Sequence, residues 1–236
     1  MSIAAPAALA GPRPSVSARP PAVVAPLPAI PEAPDGFYAR HLKRAFDLLV
    51  VAVLALPVLF VLLPLMLLVA LDGHSPLFWQ ERLGRNGRVF RMAKLRTMVP
   101  DAEAALARHL ASDPAARAEW DHHQKLRRDP RVTRLGAFLR RSSLDELPQL
   151  LNVLLGHMSL VGPRPMMPTQ RPLYPGLEYF ALRPGITGFW QISARNESSF
   201  AERAGYDRRY WEELSLRTDL CLIARTAGVV LRGTGC

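Results

Sequence analysis

Two adjacent carboxylates, Asp145 and Glu146, stand just behind a pair of arginines in the stretch Arg140-Arg141-Ser142-Ser143-Leu144-Asp145-Glu146-Leu147-Pro148-Gln149-Leu150. The same stretch has the marks of a helix start. Ser143 followed three residues later by Glu146 is the pattern of a capping box. Leu147, Leu150, Leu151 and Leu154 then recur at helical spacing, and Gly156 can end the helix. Asp145 would lie in the first turn, where unpaired N–H groups and the helix dipole favour an anion and keep a carboxylate ionised. That end could equally receive a phosphate. Read alone, the stretch is a capped core helix, since capping boxes are common. Its surroundings change that reading.

Further cations flank it. Lys94-Leu95-Arg96-Thr97-Met98 is either a solvated basic edge or a phosphate clamp. In Gly162-Pro163-Arg164-Pro165, the two prolines restrict the backbone around Arg164 and so pre-position a planar fork suited to phosphate. Arg183-Pro184-Gly185-Ile186-Thr187-Gly188-Phe189-Trp190-Gln191 reads as a turn and a short strand, either beside a flat ligand or membrane or closed over the core. Arg195-Asn196-Glu197 can add polar contacts. Trp120, His122 and His123 invite a metal reading, but adjacent histidines do not share a helix face.

Other elements must position these groups. Residues 77–90 alternate as strand, turn and strand, with Asn86-Gly87 as a hairpin turn. Phe78 and Trp79 suit the headgroup level of a membrane. Residues 101–126 read as two helices broken at Asp113-Pro114. Leu135, Phe138 and Leu139 with Arg134, Arg140 and Arg141 make a short basic amphipathic helix for an interface or the core. Met158 to Val161 is a short apolar strand. Tyr206, Asp207, Tyr210 and Trp211 lie on a helix, and Leu216 to Leu231 form a terminal one.

Before all of these comes an apolar run. No charged residue occurs from Leu48 to Leu71, longer than the ~20 residues a spanning helix needs. Pro57 and Pro64 interrupt it. Both flanks are basic: Arg40, Lys43 and Arg44 before it, Arg82, Arg85, Arg88 and Arg91 after it. Charge bias normally marks one side of a membrane. A re-entrant helical hairpin with both ends on the cytoplasmic face satisfies the prolines and the charges together. Residues 1–36 are rich in Pro and Ala and bury too little to order themselves, and no cleaved signal is expected there. The net charge of +10 calls for an anionic partner. The two cysteines, Cys221 and Cys236, form no disulfide framework.

The order KRAFD, apolar run, FWQERLGRNGRVF, KLRTM, DPRVTRLGAFLRRSSLDELPQLLNVLLGHMSLVGPRP, RPGITGFWQISARN resembles the bacterial sugar transferases, the monotopic phosphoglycosyl transferases, over residues 41–235. The resemblance implies transfer of a sugar-1-phosphate from a UDP-sugar to undecaprenyl phosphate, with release of UMP. It implies that Asp145 is a nucleophile forming an acyl-phosphate sugar intermediate. Arg140, Arg164 and Lys94 would be phosphate ligands, and Asp219, which matches an acidic residue near the family's C-terminus, would join them in the substrate- and phosphate-binding set. Mg²⁺ would be held by Glu146, shared with Asp145. The chain departs from the family in the apolar run. The family's re-entrant helix breaks at a proline where this chain has Phe60, with Pro57 and Pro64 about a turn to either side.

The expected fold is therefore mainly α with short β elements, of α+β type: a disordered tail (1–36), a membrane-embedded helical hairpin (37–74) and a compact cytosolic domain with interfacial amphipathic helices (75–236). The expected partners are a UDP-sugar, with galactose or glucose, undecaprenyl phosphate and the lipid bilayer, and no nucleic acid. The expected site is the cytoplasmic face of a bacterial inner membrane, at the first membrane step of exopolysaccharide synthesis. A non-catalytic basic scaffold binding anionic lipid or nucleic acid fits the charge and the apolar run, but accounts poorly for an Asp-Glu pair inside the basic cluster.

Overall fold

A computed structural model describes residues 29–32, 34–123, 126–193 and 200–231. Most of the predicted tail, residues 1–28 and 33, lies outside them, as do Arg195-Asn196-Glu197 and the side chains of His122 and His123. The end of the tail that is described makes contacts. Ile30 packs against a buried aromatic cluster, and the Glu32 carbonyl accepts from Trp211 Nε1 at 3.1 Å.

A short π-helical turn, Tyr38–Leu42, leads into helix α1, Lys43–Ala70. Two helices with a turn between them were expected here. Instead α1 is one uninterrupted helix of 28 residues that includes both Pro57 and Pro64. Each proline deletes one hydrogen bond and crowds one turn, which bends a long helix without ending it. The middle of α1 is apolar and bare, with Leu56 79% and Phe60 83% exposed. That excludes a soluble core helix. Only its ends are held, and the same fold holds both. Phe46, Val50 and Val51 pack into the main core beside Val153, Met158 and Leu160. Leu62, Leu65, Met66 and Val69 pack with Leu95 and Leu139.

The next unit matches the alternation read from the sequence. β1 (Leu77–Leu83) and β2 (Val89–Leu95) pair antiparallel from Leu77↔Leu95 to Leu83↔Val89. Asn86 and Gly87, with φ of 57° and 71°, turn the chain within a connection that runs from Gly84 to Arg88. The register sets Phe78, Gln80 and Arg82 on one face with Lys94, Met92 and Phe90. Two cations, Lys94 and Arg82, thus share a face at opposite ends of the hairpin.

Helices α2 (Ala102–Ser112) and α3 (Pro114–His123) follow, separated at Asp113 as expected. Asp113 Oδ1 accepts from the Ala115 and Ala116 amides, which caps α3. α4 (Arg134–Arg141) is capped by Thr133, whose Oγ1 accepts from Gly136 N at 2.9 Å. α5 (Gln149–Leu154) packs beneath β2. Its Asn152 accepts from Ala93 N and donates to Arg91 O, as an adjoining strand would. β3 (Ser159–Val161) then pairs parallel with β4 (Gly185–Thr187). α6 (Glu178–Ala181) lies between them, and α7 (Phe189–Ile192), α8 (Arg203–Glu213) and α9 (Leu216–Leu231) close the chain. The fold is mainly helical with short strands, as expected.

Close approach requires glycine at several positions, and two of them bear on the site. A Cβ on Gly162 would lie 2.3 Å from Arg183 O, because β4 passes against that loop. A Cβ on Gly136 would lie 2.0 Å from Thr97 O, where α4 crosses the end of β2. Gly136→Ala is expected to destabilise the protein by about 2–3 kcal/mol, because backbone cannot yield as a flexible side chain does. Denaturant unfolding in detergent measures it, and unchanged stability would mean that α4 does not cross there.

Candidate active site

The carboxylate pair does not sit as a capping box would place it. Ser143 adopts a left-handed conformation, φ 57°, and makes no side-chain cap bond. Leu144–Glu146 form a single 3₁₀ turn, and α5 begins only at Gln149. Pro148 supplies the physical reason. It has no N–H to bond Leu144 O, so the Leu147 amide takes that carbonyl at 3.3 Å instead. The turn is fixed from below by Leu144, which packs with Leu95, Leu139 and Val69.

The turn delivers both acids to Lys94. Lys94 Nζ lies 2.8 Å from Glu146 Oε1 and 3.7 Å from Asp145 Oδ2. Asp145 is buried. Burial raises its pKa, against the pull of Lys94 and Arg140 and with the help of Glu146. The sequence reading, in which the helix dipole keeps Asp145 ionised, is corrected here: no helix begins at this residue, and desolvation is the largest influence on it. Arg140 projects from α4 and donates from Nε to Thr97 Oγ1 at 2.9 Å, held there by the same crossing that requires Gly136.

Arg164 is exposed on a loop whose neighbours Gly162, Pro163, Pro165 and Met166 are buried. Its guanidinium lies over the Trp190 ring, 5.2 Å from the centroid. The loop is pinned by Gly162 N to Thr187 O and Gly185 N to Pro163 O, each at 2.8 Å. Arg82, on the Lys94 face of the hairpin, donates to Pro165 O at 3.1 Å, and its charge feels that of Glu146. Lys94, Asp145 and Glu146 therefore meet directly, the charge of Arg140 reaches Asp145, and Arg82, which feels Glu146, is bonded to the Arg164 loop.

Asp219 is placed elsewhere. Its side chain is fully enclosed, 2.8 Å from Lys43 Nζ, and accepts from Tyr38 at 2.6 Å and Tyr210 at 2.7 Å. An acid sealed against a lysine ties α9 to the root of α1 and offers no oxygen to a phosphate. Arg96 of the basic strand also acts structurally. It binds Asp72, at 2.6 Å, and Val69 O, at 3.0 Å, and so clamps the far end of α1.

Sequence reading missed Arg82, Thr97 and Arg203. Gln80, Glu81 and Arg82 are all polar, so no apolar alternation marked Arg82, and its half-buried place beside Gln80 shows only in the folded strand. Nothing local pointed to Arg203, which reaches Trp190 from α8, with its guanidinium carbon 4.0 Å from the ring centroid.

For a metal, no group of three or more His, Cys, Asp or Glu side chains converges among the described residues. The Asp145–Glu146 pair does converge on one point, the ammonium of Lys94, and is thus shaped to face a cation. Mg²⁺ commonly takes one or two carboxylates and completes its shell with water and substrate phosphate, so the pair fits that ion.

The acid pair, held against Lys94 and within the field of Arg140, thus lies in a fold that grips both ends of a helix long and apolar enough to cross a membrane. The chain belongs to the bacterial sugar transferase family, which matches residues 38–233. It is 46% identical over 202 residues to the UDP-galactose-lipid carrier transferase of Erwinia amylovora, covering 84% of this chain and 42% of that protein. It is 42% identical over 203 residues to the undecaprenyl-phosphate galactose phosphotransferase of Salmonella typhimurium, covering 84% of this chain and 42% of that one. To the exopolysaccharide production protein ExoY of Sinorhizobium fredii it is 44% identical, across 82% of this chain and 87% of that protein. The chain thus spans about two fifths of the first two relatives, each matched over 42% of its length.

The raised pKa of Asp145 has a testable consequence. The folded protein keeps a proton that the unfolded chain releases between the ordinary carboxylate range and the raised value. Wild-type stability contributed by this group is therefore lost as pH rises through that window. Asp145→Asn carries no such charge. Its melting temperature is expected to equal or exceed that of wild type at pH ~7, with the difference shrinking toward pH ~4. A variant that is less stable at pH ~7 than at pH ~4, relative to wild type, contradicts the desolvation account.

Proposed function

We propose that the protein transfers a sugar-1-phosphate from a UDP-sugar to undecaprenyl phosphate, releasing UMP, as the membrane step that primes exopolysaccharide synthesis. The observation that carries this reading is the Lys94–Asp145–Glu146 cluster, with Arg140 beside it. Family membership and the relatives named above support the same class of reaction. The donor sugar is galactose or glucose, after the galactose-linked relatives and an undecaprenyl-phosphate glucose phosphotransferase of Komagataeibacter xylinus, 40% identical over 198 residues.

Asp145 attacks the sugar-bearing phosphorus. A carboxylate O–P bond forms, the bridging P–O bond breaks, and UMP leaves with the electron pair. The phosphate of the lipid acceptor then attacks the same phosphorus and frees Asp145. Burial helps the nucleophile, since a desolvated carboxylate with a raised pKa is more basic. Lys94 and Arg140 supply fixed positive charge where negative charge builds up on the transferred group. Glu146 and Asp145 would hold Mg²⁺, which when bound neutralises the diphosphate. Asp145→Asn is expected to lower UMP release by orders of magnitude while remaining folded. Labelled donor without acceptor should leave a sugar-phosphate adduct on the Asp145 peptide. An adduct on another residue, or full turnover by Asp145→Asn, removes Asp145 from this role.

The same reading places α1 as a re-entrant element of a bacterial inner membrane, with the remainder on the cytoplasmic face. A straight helix of 28 residues would measure ~42 Å, more than the ~30 Å hydrocarbon core. Yet both its ends are held by one domain, through Arg44 to Val153 O at 2.6 Å and Arg96 to Val69 O at 3.0 Å. Pro57 and Pro64 stand close to two turns apart, so their bends fall on one face and add. Cysteines introduced at Phe37 and Arg85 are expected to be labelled from the same side in inside-out vesicles. Labelling from opposite sides would establish a spanning helix.

A further inference from the structure

We propose that Arg82, Arg164 and Arg203 form a second oxyanion subsite, separate from Lys94 and Arg140, that holds a phosphate group other than the one under attack. This rests on the transfer reading, which brings three phosphates to the site, two in the donor and one in the acceptor. Lys94 is already shared by two carboxylates, and Arg140 is held by Thr97. The remaining charge lies a step away, around Trp190. Arg203 lies over that ring at 4.0 Å and Arg164 at 5.2 Å, while Arg82 binds the carbonyl of Pro165, the residue after Arg164.

Three features mark the cluster as incomplete without an anion. None of the three guanidiniums forms a salt bridge with an acid among the described residues. The Nε atoms of Arg82 and Arg203 are buried and have no hydrogen-bond partner there. Burying such donors unpaired is costly. The cations also oppose one another: burial first, and then the charge of Arg164, pull both Arg82 and Arg203 down to about 10. The acid whose field reaches Arg203 is Asp207, and it answers only in part. Its Oδ2 accepts from Tyr174 at 2.6 Å, and burial pushes its own pKa up to about 7. An oxyanion set among the three forks would satisfy the buried donors and cancel the repulsion. Arg82 also feels Glu146, so the subsite borders the reacting centre.

Phosphate at this position has two possible sources, the departing nucleoside monophosphate and the head of the lipid acceptor. The test measures binding to the purified full chain in detergent by titration calorimetry, with inorganic phosphate, UMP and a short-chain polyprenyl phosphate as probes. R82Q and R203Q are expected to weaken inorganic phosphate by about tenfold or more, the effect of losing a hydrogen bond to a charged group. A matching loss for UMP alone assigns the subsite to the leaving group, and a loss for the polyprenyl phosphate alone assigns it to the acceptor. R203K guards against misfolding. It keeps the charge and the packed stem, loses the fork, and is expected to bind several-fold more weakly. Wild-type affinity for all three probes in folded R82Q and R203K overturns the subsite. Because binding is read without turnover, a wild-type protein that binds phosphate here yet never releases UMP from UDP-sugars would retain the subsite and lose the transfer reading.

Discussion

Lys43 is the ion on which the architecture turns. It is buried at the root of α1 between Asp47, at 3.1 Å, and Asp219, at 2.8 Å, both fully enclosed. Asp47 also accepts from the Leu160 amide of β3, and Asp219 accepts from Tyr38 and Tyr210. One ammonium thus joins the membrane helix, the strand before the Arg164 loop, and the last helix. Removing one partner of such a pair costs ~3–5 kcal/mol, because the other charge is left buried alone. The cost of desolvating these groups is met by orientation. An apolar helix alone could slide or rotate against the domain, since leucine contacts have little direction, whereas a lysine held by two carboxylates cannot.

From that joint the site follows by contact. With α1 fixed, Val69 and Met66 pack on Leu95 and Leu139, and these bury Leu144 under the acid pair. β2 passes between, clasped by Asn152 from α5, and carries Lys94 to the acids. The membrane segment and the carboxylates therefore share one small apolar cluster. On the proposed transfer reading this proximity brings the acceptor head, which would stay at the membrane surface, within reach of the carboxylates. The side chains of Leu151, Leu154, Leu155 and Phe138 are exposed near Val153 and Leu139, which pack against the two ends of α1.

Electrostatically the site is uneven. Around Asp145 the charges are nearly matched, two acids against Lys94 and Arg140. Around the Arg164 loop they are not: among the described residues Arg82, Arg164 and Arg203 form no salt bridge with an acid, and only the fields of Glu146 and Asp207 reach Arg82 and Arg203. The chain's net charge of +10 is thus partly concentrated where anionic substrates would arrive.

Much of this was legible in the amino-acid order. Strand alternation, the Asn86-Gly87 turn, the apolar run and the acid pair among arginines are local signals, and local signals survive in a string because a backbone obeys near-neighbour sterics and hydrophobic period. The motif order was enough to identify the family. Two matters were decided only by tertiary structure, and a third by a local hydrogen bond. Pro148 turned an expected helix cap at Ser143 into a 3₁₀ turn, because a missing N–H acts through a hydrogen bond that a spacing rule does not count. Asp219 became an anchor rather than a phosphate ligand, because its partner Lys43 lies at the far end of the chain. Arg82 reached the Arg164 loop, and Arg203 reached Trp190, because a hairpin register and a helix packing put them there. Long-range electrostatics depends on distance in space, and that distance is set only when the core closes.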